Sequence, residues 1–178
     1  MKNTIELTDQ VVLLRPFVLK DVEEHLAGED EVQIKWLSGG KSTRETVRNW
    51  IQRNQESWEK DGPVFAFAIS DAKTQRLIGM VEANTDDENV EGIQKGEANI
   101  SYGLSPFARG KGYGSRAVNL MMDFLKRKGL HAAIARVDPT NEDSLKVPLR
   151  CGFKEQGVMK TKDQRNLVVF KKLLDEHL

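Results

Sequence analysis

Cysteine is nearly missing from this chain. Cys151 is alone among 178 residues, so no internal disulfide can form, and a reducing cytosol is the expected setting. Histidine is scarce as well. His25, His131 and His177 are scattered and, with one cysteine, give no metal-ligand spacing; no metal is expected. No segment approaches the roughly 18 apolar residues of a membrane span. The first residues, MKNTIELTDQ, lack the apolar run of a signal peptide. An excess of one charge is also missing: 27 basic residues face 27 acidic ones, whereas a general nucleic-acid or membrane-surface role calls for a basic surplus. The expectation is a soluble, cytoplasmic protein with no nucleic-acid and no membrane partner. Repeats and low-complexity segments are absent too.

What is present suits one domain over residues 1–178, with a hydrophobic fraction of 39% to build its core. Residues 11–15 are apolar and read as a strand stopped by Pro16. Residues 20–27 read as a short helix ended near Gly28. Ser42 and Glu45 have capping-box spacing and open a helix whose apolar face is Val47, Trp50, Ile51 and Trp58; Gly62-Pro63 ends it. Residues 64–69 (VFAFAI) read as a buried strand, 71–75 as a polar turn and 77–83 as the next strand. An acidic connection over 86–96 leads to residues 97–104 (EANISYGL), whose period of two is that of a strand. Past a glycine loop, Ala117, Leu120, Met121, Phe124 and Leu125 form one helical face. Lys126, Arg127 and Lys128 suit that helix's C-terminal end, with Gly129 as its cap. Residues 132–137 read as a buried strand. Asn141 caps a short helix ended by Gly152, and strands at 153–159 and 166–170 form a closing hairpin. This order predicts an α/β fold, a mixed central sheet with helices on both faces.

The sharpest signal is Arg109-Gly110-Lys111-Gly112-Tyr113-Gly114, between a strand and an amphipathic helix. Glycines let the backbone approach a ligand closely. Their N–H groups, with those of the helix start, form an anion nest, and Arg109 and Lys111 add positive charge. A phosphate or pyrophosphate is the natural guest. The plainer alternative is a tight turn with solvated basic residues. The loop lies deep in the chain, and no strand with an acidic residue follows about 20 positions later, which disfavours a dinucleotide fold. Gly39-Gly40-Lys41-Ser42 imitates the end of a nucleoside-triphosphate loop, but Lys35 occupies the place of its first glycine and no buried strand precedes it.

With these residues in place, a resemblance emerges. Arg109-x-x-Gly112-x-Gly114 resembles the acetyl-CoA pyrophosphate motif of the GNAT N-acetyltransferase superfamily, R/Q-x-x-G-x-G/A. Residues 97–106 resemble the strand leading into it. Asn141-x-x-Ser144 followed by Gly152-Phe153 resembles the family's second signature. Leu13, Arg15 and Pro16 resemble the start of the ribosomal-protein-acetylating and antibiotic-acetylating (RimJ/RimL-like) branch. The likeness covers nearly the whole chain. It implies the GNAT acyl-CoA N-acyltransferase fold, acetyl-CoA as co-substrate and a primary amine as acceptor. It further implies that pantetheine runs beside the strand ending at Leu104. Pyrophosphate would rest on N–H groups from Arg109 through Gly110, Lys111, Gly112, Tyr113 and Gly114 to Ser115, with Asn141 holding the pantetheine arm or the nearby strands.

Acetyl transfer to an amine needs a proton acceptor, a donor for the thioester oxygen and a proton for the departing thiolate. Backbone N–H near Leu104 is the donor the resemblance implies. Many relatives place a tyrosine four residues before the glycine of G-F; Pro148 stands there, cannot donate to the Ser144 carbonyl and should bend the helix. Ser144 fills the serine position of the ribosomal-protein-acetylating branch and by that resemblance is the candidate acid; the alternative is a second helix-start residue with a solvated hydroxyl. Glu97 and Glu82 are candidate bases, or rim carboxylates on strand ends, with a water relay as the alternative to both. Cys151 reads as a small buried hydrophobe. Trp36 is a candidate for stacking on substrate, while Trp50 and Trp58 face the core. The acidic run at 86–91 reads as a solvated loop before it reads as an attractor of polycations.

The expectation is an acetyl-CoA-dependent N-acetyltransferase acting on a small-molecule amine, aminoglycoside-like antibiotics included, or on a protein N-terminus. Its rivals are a non-catalytic acetyl-CoA-binding module and a nucleotide-phosphate binder. The sequence leaves the oligomeric state open, a homodimer included.

Overall fold

A computed structural model describes residues 5–174; His177 lies outside them. The strands are β1 (Leu7–Thr8), β2 (Val12–Pro16), β3 (Val64–Asp71), β4 (Leu77–Asn84), β5 (Glu97–Leu104), β6 (Ala132–Val137), β7 (Lys154–Lys160) and β8 (Asn166–Leu173). They form one sheet in the order β1-β2-β3-β4-β5-β6-β8-β7. Among these pairs β5–β6 is the parallel one. A parallel pair needs a long crossover, which the glycine loop and α4 (Tyr113–Arg127) provide. The other helices are α1 (Val22–Ala27), α2 (Glu31–Gln33), α3 (Arg44–Glu59) and α5 (Glu142–Arg150).

The helices cover the two faces separately. Ala117, Val118, Met121, Phe124 and Leu125 of α4 are buried with Phe67, Val81, Ala98 and Ile100. The face predicted at 117, 121, 124 and 125 is thus the one packed on the sheet, and Leu120 is partly buried beside it. On the other side, Val47 and Ile51 of α3 pack with Phe17, Val22, Ala66, Ala68 and Leu77. Trp50 is partly buried there, and Trp58 joins the first core, its indole N–H donating to the Ala66 carbonyl at 3.1 Å.

Three local readings change. The strand β1 went unread because two residues carry no period. Residues 31–38, left without an element, form α2 and a π-helical turn, Ile34–Ser38. The cap of α3 is also shifted by one residue: Thr43 Oγ1 accepts the Thr46 N–H at 3.2 Å, and Thr46 Oγ1 accepts the Thr43 N–H at 2.8 Å. Ser42 cannot serve because Glu29 holds both its N–H and its hydroxyl.

Candidate active site

The site begins where the sheet splits. Pairing between β5 and β6 ends at Ile100 and Ala135, yet β5 runs on to Leu104 beside β4, and β6 to Val137 beside β8. The Ser105 N–H donates to the Ile78 carbonyl at 2.9 Å. Antiparallel main-chain groups alternate in direction. The N–H and C=O of Tyr102 and Leu104 therefore face away from β4, into the cleft.

The glycine loop follows the end of β5 at that cleft. Gly110 and Gly112 have φ of +73° and +78°, left-handed values that cost other residues energy. A Cβ on either would meet nothing within 4 Å, so the outer surface of the loop is open. The Arg116 N–H bonds to the Gly112 carbonyl at 3.2 Å, which leaves the amides of Tyr113, Gly114 and Ser115 upstream of the first helical bond. Two left-handed glycines beside free first-turn amides at a helix N-terminus form an anion cradle. The donor set fits the diphosphate of acetyl-CoA.

Arg109 departs from expectation. Its guanidinium grips both carboxylate oxygens of Asp30, at 2.7 and 2.9 Å, and its Nε donates to the Leu104 carbonyl at 3.1 Å. The arginine holds Asp30 down to about 2, chiefly through these hydrogen bonds. Its charge is thus matched within the protein, and Lys111, which is exposed, is the loop cation left to meet a phosphate. Asp30 also caps α2, accepting the Gln33 N–H at 3.0 Å. One bidentate pair therefore ties β5 and the glycine loop to the start of residues 31–38.

Across the cleft stands α5. Asn141 caps it as predicted, its Oδ1 accepting the Ser144 N–H at 3.4 Å, which leaves its side-chain NH2 for a guest. The helix runs through Pro148. Pro148 has no N–H for the Ser144 carbonyl, and the Tyr102 hydroxyl donates there instead, at 2.9 Å. Ser144 is half-buried, and its own hydroxyl has no hydrogen-bond partner among the described residues.

A cavity of about 630 Å³ opens on the other face of β5. Trp36, Leu37, Trp50, Met80, Glu82 and Ser101 are among its lining residues. Glu82 and Ser101 are register partners on β4 and β5 and so share a face. Burial pushes the Glu82 carboxyl above its ordinary value; no ion pair or hydrogen bond engages it among the described residues. Trp50 stacks on His25 at 5.2 Å between ring centroids, and burial pushes the His25 imidazole down. The Leu37 side chain lies over Gly103, where a Cβ would come within 2.4 Å of Leu37 Cδ1.

Glu97 is placed elsewhere. It is 2% exposed at the opposite end of β5 from Leu104. It accepts from Lys171 at 2.6 Å and from the Gln94 N–H at 3.0 Å, and does not line the cavity. Alternation along β5 gives the side that Glu97 shares with Asn99 and Ser101 and is silent about the four-residue distance from Ser101. The acidic run is also away from the cavity. Glu91 binds the Lys162 N–H, and its carbonyl binds Arg136. Cys151 is buried and free, with its thiol pushed up by burial. Trp36 does line the cavity. Asp30, Tyr102 and Leu37 escaped the sequence reading because each acts through a partner far along the chain. No group of residues able to hold a metal ion occurs among the described residues, and no helix among them is long and apolar enough to cross a membrane.

The family profile described as the acetyltransferase (GNAT) domain matches residues 12–154. The chain is 31% identical over 159 residues to "Probable N-acetyltransferase YjcK" of Bacillus subtilis, covering 85% of each. It is 28% identical over 115 residues to the phosphinothricin N-acetyltransferase of Streptomyces coelicolor, covering 65% of this chain and 64% of that one. In shape it is similar to the microcin C7 self-immunity acetyltransferase MccE, solved with acetyl-CoA and AMP: the TM-score is 0.79 at 18% identity over 97% of both chains. It is likewise similar to the ribosomal-protein-S5-alanine acetyltransferase of Vibrio fischeri, at 0.78 and 21%, over 97% of this chain and 98% of that one. With the split sheet, the left-handed glycine loop and these relatives together, the chain belongs to the GNAT acetyltransferase family and is an acetyl-CoA-dependent N-acetyltransferase.

Proposed function

We propose that this enzyme acetylates a small-molecule amine bound in the cavity between residues 25–53 and the β4–β5 face, with Glu82 taking the proton from the acceptor's ammonium group. The observation that carries this reading is Glu82: a carboxylate unpaired among the described residues and raised by burial, on the wall of a cavity sized for a small ligand. A base works best when its pKa lies near the working pH, and burial moves Glu82 in that direction. The aromatic walls Trp36 and Trp50 suit a compact guest better than an extended peptide. The acidic run at 86–91 gives no support to a polycationic antibiotic, because it lies against the β7–β8 hairpin.

Acetyl-CoA supplies the acetyl group as a thioester. In this reading its diphosphate rests on amides 110–115 with Lys111 nearby. Its pantetheine lies along the cleft edge of Tyr102 and Leu104, and the Asn141 NH2 faces it. The inward-facing amides of β5 give the thioester oxygen a fixed main-chain donor near Leu104, and the Ser144 hydroxyl supplies a proton to the departing sulfur. Glu97, tied to Lys171, drops out as a base. A cytoplasmic location accompanies this reading, since the lone thiol needs no oxidising compartment.

The test is an acceptor screen that follows release of the CoA thiol with amino acids, polyamines, aminoglycosides and N-terminal peptides. Turnover of small amines, lost in Glu82→Gln, is the expected result. Turnover of peptides alone would move the acceptor outside the cavity. Binding of acetyl-CoA with no turnover of any amine would remove Glu82 from the chemistry.

A further inference from the structure

We infer that Tyr102 is a positioning residue for Ser144: its hydroxyl replaces the helical N–H that Pro148 lacks, and so fixes the first turn of α5 across the cleft. This rests on the reading of Ser144 as the proton donor to sulfur.

A proline at position 148 takes away the donor that the carbonyl four residues earlier would have had. That carbonyl is on Ser144 itself, at the cleft. An unsatisfied carbonyl there would leave the helix start free to fray or shift. Tyr102 removes the problem. It lies on the β5 face turned towards α4 and α5, its ring partly buried against the first core, and its hydroxyl reaches Ser144 O at 2.9 Å. The ring is anchored in a strand that β4 holds through Leu104. The serine is therefore tied to the same strand that offers its amides to the cleft. A backbone N–H would have fixed the turn only to its own helix. The tyrosine fixes it to β5, and the width of the cleft at this level is set by one aromatic side chain. The Asn141 cap holds the same residue from the other side through its N–H, so Ser144 is restrained at both main-chain groups.

The experiment is a double-mutant cycle on Tyr102→Phe and Pro148→Ala, with Ser144→Ala as a separate arm. Each variant is measured for kcat, KM of both substrates, CoA affinity and Tm. Tyr102→Phe should lower kcat by about tenfold, the size expected for one lost buried hydrogen bond, with CoA affinity unchanged. Pro148→Ala restores the N–H and should be near neutral alone. In the double variant it should return most of the lost kcat and Tm. A phenylalanine variant that keeps full kcat overturns the inference. So does a loss of kcat that Pro148→Ala leaves untouched in a folded double variant, since the hydroxyl then acts on the reaction directly. Ser144→Ala separates the two ideas. If it leaves kcat intact, the proton-donor reading fails; coupling between 102 and 148 in Tm is then still read from the same cycle, and its absence overturns the positioning as well.

Discussion

The two sides of β5 are built on different principles. On the cleft side the groups that β5 and its loop contribute are mainly main-chain: amides of Tyr102 and Leu104, the left-handed turns at Gly110 and Gly112, and the first turn of α4. Their placement follows from local sequence, over little more than a dozen consecutive residues. On the cavity side the groups are side chains brought together from α1, the 31–38 turns, α3, β4 and β5. A carrier common to many reactions suits the first kind of site, and an acceptor particular to one enzyme suits the second. The Asp30–Arg109 pair spans the two.

The largest expected effect tests the main-chain side. Gly112→Asp places a carboxylate where the diphosphate would rest and should weaken CoA binding by more than about a hundredfold. Aspartate tolerates the left-handed conformation better than most residues, so Tm should fall by only a few degrees. Calorimetric titration with CoA alongside thermal melting checks both halves; unchanged affinity would dissolve the distinction between the two sides.

Next comes the cavity. Glu82→Gln should lower kcat by about a hundredfold with CoA affinity unchanged. The acid limb of the kcat/KM–pH profile should disappear with it. Stability should move the other way. Burial raises the carboxyl above its ordinary value, so the folded protein favours its protonated form. That contribution is complete below the unfolded-state value and is lost as pH rises through the folded-state value. The variant should therefore melt higher than the parent at about pH 8 and equal to it at about pH 4. A variant that melts lower at both would contradict the unpaired, desolvated carboxylate.

Gly103→Ala sharpens the comparison from the boundary. Its Cβ would press on Leu37 at 2.4 Å, displacing the 31–38 turns by a small overpacking cost. The acceptor KM should rise by about fivefold while acetyl-CoA affinity holds, as steady-state kinetics with one substrate saturating would reveal.

The smallest effect is expected at the bridge between the sides. The Asp30–Arg109 pair is about a third exposed on each side chain, 27% and 33%, and pairs of that kind contribute little. Asp30→Asn should raise the KM values of both substrates by about two- to threefold. The Asp30 carboxyl is held down at about 2, below its ordinary 3.8. Its contribution is present above the unfolded-state value and is lost as pH falls through about 2. The gap in Tm between parent and variant should thus be constant down to about pH 4 and close below it. A change confined to one substrate would show that the pair serves one side alone.

The same division explains what the sequence reveals. Strands β5 and β6 are found at their exact bounds because each has a strong local pattern and a sharp stop. The glycine loop is legible because left-handed turns and close approaches demand glycine. The face of α4 follows from a period of 3.6. The cavity is not legible in this way. Glu82 is found only as one of two candidate carboxylates, and what separates it from Glu97 is the partner Lys171, 74 residues further on. The partner of Arg109 is not legible locally because Asp30 stands 79 residues earlier. Ser42 is misplaced as a cap because Glu29 takes it first. Tyr102 is hidden inside a regular strand pattern, and its meaning depends on a proline 46 positions later.

The premature end of pairing between β5 and β6 has one more consequence. Bare strand edges attract foreign strands and seed aggregation. Here the bare stretch lies inside the sheet, with β6 on one flank and α5 pinned across it by a tyrosine. The unpaired groups are thereby withdrawn from the outer edges of the sheet, where edge-to-edge pairing begins.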